Sequence, residues 1–160
     1  MAGSTILDAI AAVAIDVDGL NNDAIYSAGG GEIEGVKDIP DNLADGAFPA
    51  VVVLGADKTV IPGSWERTTW TVELSIWVPD LPPRGEVYRD LVDLEDPIRE
   101  AFRTKARAGV ADPAVQAVLV TEVGRVAGRQ WQRGDNQPWF LVLPLSLQVT
   151  VNRAVTYRPS

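Results

Sequence analysis

An α+β fold is predicted, with an antiparallel or mixed four-stranded sheet of two hairpins and helices packed on one face, in the order α-β-β-α-β-β. Three observations carry this. Trp139, Leu141, Leu143, Leu145, Leu147, Val149 and Val151 recur at every second position, a period that only a strand turns into one buried face. Trp70, Val72, Leu74, Ile76 and Val78 do the same. Val87, Leu91, Leu94, Ile98 and Phe102 instead recur at steps of three and four, the stripe of an amphipathic helix.

The first helix is expected over residues 4 to 17. Ser4 or Thr5 caps it, Ile6, Ile10, Val13 and Val17 form its apolar stripe, and Gly19, Asn21 and Asn22 end it. Residues 19 to 48 are rich in Gly, Asn and Asp, with Gly29, Gly30 and Gly31 in a row. They read as a long flexible loop, with short strands or extended arms at 24–27 and 32–36. Ala50 to Leu54 is a β-branched run between Pro49 and Gly55, which reads as a buried strand. Residues 55 to 67 form an arm that turns at Pro62-Gly63.

The alternating strand Thr69 to Val78 follows and stops at Pro79; Pro82 and Pro83 keep the connection extended. The second helix begins at Gly85 and ends at Gly109, with a kink or break at Pro97, where Asp96 can cap a second segment. Asp112-Pro113 turns into a strand from Val118 to about Arg125, and Gly134, Asp135 and Asn136 form a turn before the last strand. A strand of Trp139 to Val151 spans roughly 43 Å at about 3.3 Å per residue, far longer than usual. The tail, 152–160, is polar and expected to extend outward. Helices are expected over the face carrying Trp70, Leu74, Leu141 and Leu145.

The 160 residues fit one domain, 1–160. Net charge is −8, from 14 basic and 22 acidic residues, which disfavours reading of a phosphate backbone. Arg99, Arg103, Lys105 and Arg107 are the nearest approach to a basic cluster; they belong to a helix end, where cations favour the dipole. There is no cysteine and no histidine, so disulfides, thiolate metal sites and the commonest general base are excluded. No run of about eighteen apolar residues marks a membrane span, and Met1 to Leu20 lacks the positive leader of a signal peptide.

No motif points to chemistry. Gly29-Gly30-Gly31-Glu32 lacks the Gly-Lys-Ser/Thr ending of a phosphate loop. Asp16, Asp18 and Asp23 lack the spacing of a calcium loop. Asp90, Asp93, Glu95, Asp96 and Glu100 line one solvated helix face. Glu73 and Glu122 lie within strands, where Arg125, Arg129 or Arg153 can pair with them across the sheet. No catalytic residue, metal or cofactor is expected, and the protein is not expected to be an enzyme.

Five tryptophans are unusual in this length. Trp70 and Trp139 fall in core registers; Trp77 lies on the opposite strand face, and Trp65 and Trp131 fall in loops. Exposed tryptophans are enriched at interfaces. If both sheet faces are covered, a second chain is expected to supply one layer. The contact candidates are Trp65 and Arg67 on the arm, Trp77, Arg84 in the Pro-rich connection 79–84, and Arg129, Trp131 and Arg133 in the 125–138 turn.

In the order Thr5 to Val17, Phe48-Pro49-Ala50-Val51-Val52-Val53, Thr69 to Val78, Gly85 to Arg107 and Trp139 to Val151, the chain resembles the tail terminator (tail completion) proteins of long-tailed bacteriophages. The resemblance covers nearly the whole chain and rests on element order. It implies a structural virion protein, assembled in the host cytoplasm, that forms a ring, typically of six subunits, at the head-proximal end of the tail. Its implied partners are its own copies, the tail tube protein and a neck or connector protein, with DNA passing through without sequence-specific binding and no membrane involved. The acidic balance suits a channel that DNA slides through. Another neck or head-closure protein, a monomeric binding module and an assembly chaperone are the alternatives.

Overall fold

Period-two strands of this length need partners of equal length, and the chain supplies them. In the computed structural model, which describes residues 3–63, 65–104 and 115–154, the elements are α1 (Gly3–Ala14), β1 (Ile25–Ser27), β2 (Lys37–Asp38), a 3-10 turn (Leu43–Asp45), β3 (Ala50–Ile61), β4 (Trp65–Pro79), α2 (Arg84–Asp93), α3 (Glu95–Thr104), β5 (Val115–Val123), β6 (Ala127–Gln130) and β7 (Trp139–Ala154). The fold is mixed α+β. β4 and β7 pair antiparallel without interruption, from Trp65 opposite Ala154 to Pro79 opposite Phe140. The sheet order is β2-β1-β3-β4-β7-β5, with β6 also on β7.

Among the described residues seven strands replace the expected four, for two local reasons. First, residues 25–27 and 37–38 of the Gly-rich segment join the sheet, and β1 runs parallel to β3. Second, the edge along β7 is broken into β5 and β6. Pro144 accepts the Gly124 N–H at 2.8 Å, so its missing N–H faces the same edge and cannot hold a ladder there. The chain also passes so close that a Cβ on Gly124 would lie 2.5 Å from Pro144 Cγ.

β3 does not end at Gly55. Gly55 takes a positive φ of 63°, and the register shifts between Leu54 and Ala56. It is a bulge within one strand rather than a turn. The second helix breaks at Leu94, just before Pro97, giving α2 and α3. The expected helix end at Gly109, the turn at Asp112-Pro113 and residues 155–160 of the tail lie outside the described residues, and Asn152 to Ala154 belong to β7.

The main core forms on the predicted face. Ile6, Ile10 and Val13 of α1, and Leu91, Ile98 and Phe102 of α2 and α3, bury Leu74, Leu141, Leu145 and their neighbours, with Trp70 at the margin. Asp8 of α1 is buried here. Its Oδ2 accepts the Glu32 N–H at 3.1 Å, which fastens the Gly-rich segment to the helix.

The opposite face carries a second core at one end only. Ala50 and Val52 of β3, Trp77 of β4, and Phe140 and Val142 of β7 cluster there with Ala24, Tyr26 and Leu43, and Ile39, Phe48 and Trp131 pack against them. The expectation that another chain must form this layer is thus corrected: residues 24–48 of the same chain form it. Their Tyr and Leu side chains supply the apolar cover that the glycines cannot.

Leu74 and Leu145 face each other in the middle of the ladder and are almost wholly buried. Leu74→Ala or Leu145→Ala is expected to destabilise the fold by about 2–5 kcal/mol. Urea unfolding checks this as a lower midpoint with an unchanged slope.

Candidate assembly surfaces

Past Leu54 the second core ends, while the main core continues at Val72, Val149 and Val151. The outer part of β3 (57–61) pairs with the start of β4, which pairs with the end of β7, and β5 continues the sheet on β7 as far as Val115 opposite Val151; the β3 residues of this arm are exposed throughout. One face alternates short polar side chains: Thr69, Thr71 and Glu73 of β4 oppose Thr150, Gln148 and Ser146 of β7. The other face carries Lys58, whose Nζ sits 5.3 Å from the Trp70 ring centroid, a cation–π contact. β1 pairs with β3 only at Val51–Val53, so the outer edge of the arm has no partner strand among the described residues. Such an edge is a template for another strand.

The predicted contact residues separate into three places. Trp65 and Arg67 lie at the arm's end. Trp65 is 67% exposed; Arg67 is exposed and its Nε donates to Asn152 Oδ1 at 3.4 Å. Ile61, Trp65, Arg67 and Asn152 share one cleft of about 250 Å³. Trp77 and Trp131 meet instead in the second core, edge to face with ring centroids 5.2 Å apart. Arg84, Arg129 and Arg133 are scattered over the exposed surface. Arg84 pairs with Asp80 at 3.2 Å, and Arg129 stands 4.0 Å from Glu73.

Trp77 is corrected as an outward contact: it is 6% exposed. Its Nε1–H donates to Ser75 Oγ at 2.9 Å, and that hydroxyl donates to the Val52 carbonyl at 3.3 Å. The polar edge of the indole is therefore satisfied inside the protein. Trp131 is half-buried and acts as a latch. Its Nε1–H is shared between the carbonyls of Pro40 and Asp41 at 3.3 and 3.2 Å. Trp139, expected in a core register, is 56% exposed, because β7 begins there, beyond the reach of the helices.

A second opening lies at the far end of β4. Val78, Leu81, Val87, Leu91 and Leu94 wall an apolar groove of about 550 Å³, and Asp90 and Asp93 stand on it. Leu81 is 61% exposed. The sequence pointed to the Pro-rich connection but not to this groove. Its signal was Leu81 standing among prolines, an apolar residue in a segment with no periodicity.

Among the described residues no group of three or more His, Cys, Asp or Glu is placed to hold a metal ion. No helix is long and apolar enough to cross a membrane. Arg99 and Arg103, the basic residues of α3, pair with Glu95 and Glu100; Lys105 and Arg107 lie outside the described residues. No protein-family model matches the chain, and no curated protein matches it.

Trp131→Ala is expected to cost about 2–3 kcal/mol, somewhat below the ~3–5 of a fully buried tryptophan. Trp65→Ala should change stability by less than about 0.5 kcal/mol, as a surface site does. Chemical denaturation of the two variants side by side checks the contrast.

Proposed function

We propose that this chain is a structural protein of a long-tailed bacteriophage that acts as a tail terminator. Its copies close into a ring, hexameric by resemblance to that family, which caps the tail tube, ends its polymerisation and presents a surface to the neck. The role is architectural and not catalytic. The observation that carries this reading is the arm. The β3–β4 hairpin runs on past Val151, the last core residue of β7, and brings Ile61, Trp65 and Arg67 into solvent at its end, where Arg67 donates to Asn152 and Trp65 stands 67% exposed. Exposed aromatic and basic side chains on a rigid element suit a contact with another chain.

Two further features support it. An open sheet edge beside a projecting arm suits a heterologous contact, and such contacts close into rings when the rotation permits. The net charge of −8 suits a surface past which DNA moves without adhering.

The test uses the tube protein encoded in the same genome. Polymerised alone it should give tubes of uncontrolled length. Added in excess, this chain should shorten them and be seen by electron microscopy as a ring at one end only. Tubes of unchanged length with bare ends would sink the terminator reading. Binding to a portal or neck protein instead would move the chain to a head-closure role.

A further inference from the structure

The two ends of β4 carry complementary chemistry. At the arm's end Ile61 and Trp65 are 56% and 67% exposed, with Pro62 between them in sequence and Arg67 beside them in the same cleft. Carried at the end of a hairpin, these side chains make an exposed apolar tip, a knob, with one cation, and the small cleft is the space between them. At the other end lies the apolar groove against α2, carrying two carboxylates, Asp90 and Asp93. Among the described residues neither carboxylate is in an ion pair, and Arg67 is in none. Apolar knob matches apolar groove, and the unpaired cation matches the unpaired anions.

The knob cannot enter its own groove. Trp65 and Pro79 are the first and last residues of one continuous strand, hydrogen-bonded along its length to β7. Fourteen steps of about 3.3 Å hold them roughly 46 Å apart. The occupant must come from another molecule, and this chain presents a matching one.

We infer that the β3–β4 tip of one copy docks in the groove beside α2 of a second copy. Trp65 and Ile61 pack against Leu81, Val87 and Leu94, and Arg67 faces Asp90 and Asp93. Donor and acceptor surfaces differ, so the contact is head-to-tail and every copy offers one of each. Such a contact closes into a ring or runs on as a filament. This names the self-contact behind the ring reading but does not require a tail tube. A groove of about 550 Å³ lies within the ~300–1,000 Å³ range of well-filled binding sites.

Native mass spectrometry over a concentration series up to about 1 mM, a range that detects even weak self-association, tests the contact. The wild type should form a closed oligomer. A knobless copy, Ile61→Ser with Trp65→Ala, and a grooveless copy, Leu81→Arg with Val87→Arg, should each be monomeric. Mixed in equal amounts they should form a heterodimer and nothing larger, because the mixture holds one kind of working knob and one kind of working groove. Charge reversal is the independent check and leaves the apolar walls intact. Arg67→Glu should weaken association by at least about tenfold, and adding Asp90→Arg and Asp93→Arg to the same chain should restore it.

A strictly monomeric wild type would overturn the contact. So would variants that assemble like the wild type; the ring reading would then survive through other surfaces. Oligomers that obey the complementation but leave tubes uncapped would keep the contact and refute the terminator.

Discussion

The β4–β7 ladder is the constraint on which the rest of the molecule depends. Its pairs run in one register from end to end, so each residue's face is fixed by its parity. A slip of one residue would turn Leu74, Ile76, Leu143 and Leu145 out to solvent together. The ladder also sets the scale. β7 has 16 residues and α1 has 12, about 53 Å of strand against about 18 Å of helix. No single helix spans it, yet the residues of three helices cluster with a core face of β7 that is buried from Leu141 to Val151. What stays uncovered is the outer part of β3, residues 57–61, the tip at Trp65 and Arg67, and the second face away from Trp77 and Phe140.

The second face shows how the chain meets its own demand for cover without another helix. Trp77, Phe140 and Val142 are large enough to need a layer, and residues 24–48 provide it with side chains on short strands and turns. The polar groups in that layer are accounted for in pairs. Ser75 connects Trp77 to the β3 backbone, and Trp131 takes up the carbonyls of Pro40 and Asp41. Asp8 does a similar job on the helical side by accepting the Glu32 amide. A glycine-rich segment is thus pinned at several points by side chains that lie far from it in sequence.

This division leaves a molecule with two unlike ends. The end near α2 is thick and covered on both faces, and it carries an acidic apolar groove. The other end is covered on the helical face as far as Val151 and finishes in an aromatic and basic tip. Unlike ends favour head-to-tail association over two-fold pairing, because a two-fold contact needs one patch that complements itself.

Much of this was legible in the residues and some was not. The period-two runs located β4, β7 and the face of the main core, since alternation has one structural solution. The step of three and four located α2 and α3, and Pro97 announced their division. Gly55 misled as a strand end because a glycine at a turn and one at a bulge look alike locally; the pairing of β3 with β4 decided between them. Trp65 and Trp77 are equally aromatic in sequence, yet one is exposed at the tip and the other is closed against Trp131 and Phe140. Local pattern, which depends only on near neighbours along the chain, determined the strands, the helices and the helical face. Which segment covers the second face, where Pro144 breaks the edge, and which tryptophans remain outside were decided only by tertiary structure, because each depends on contacts between residues tens of positions apart.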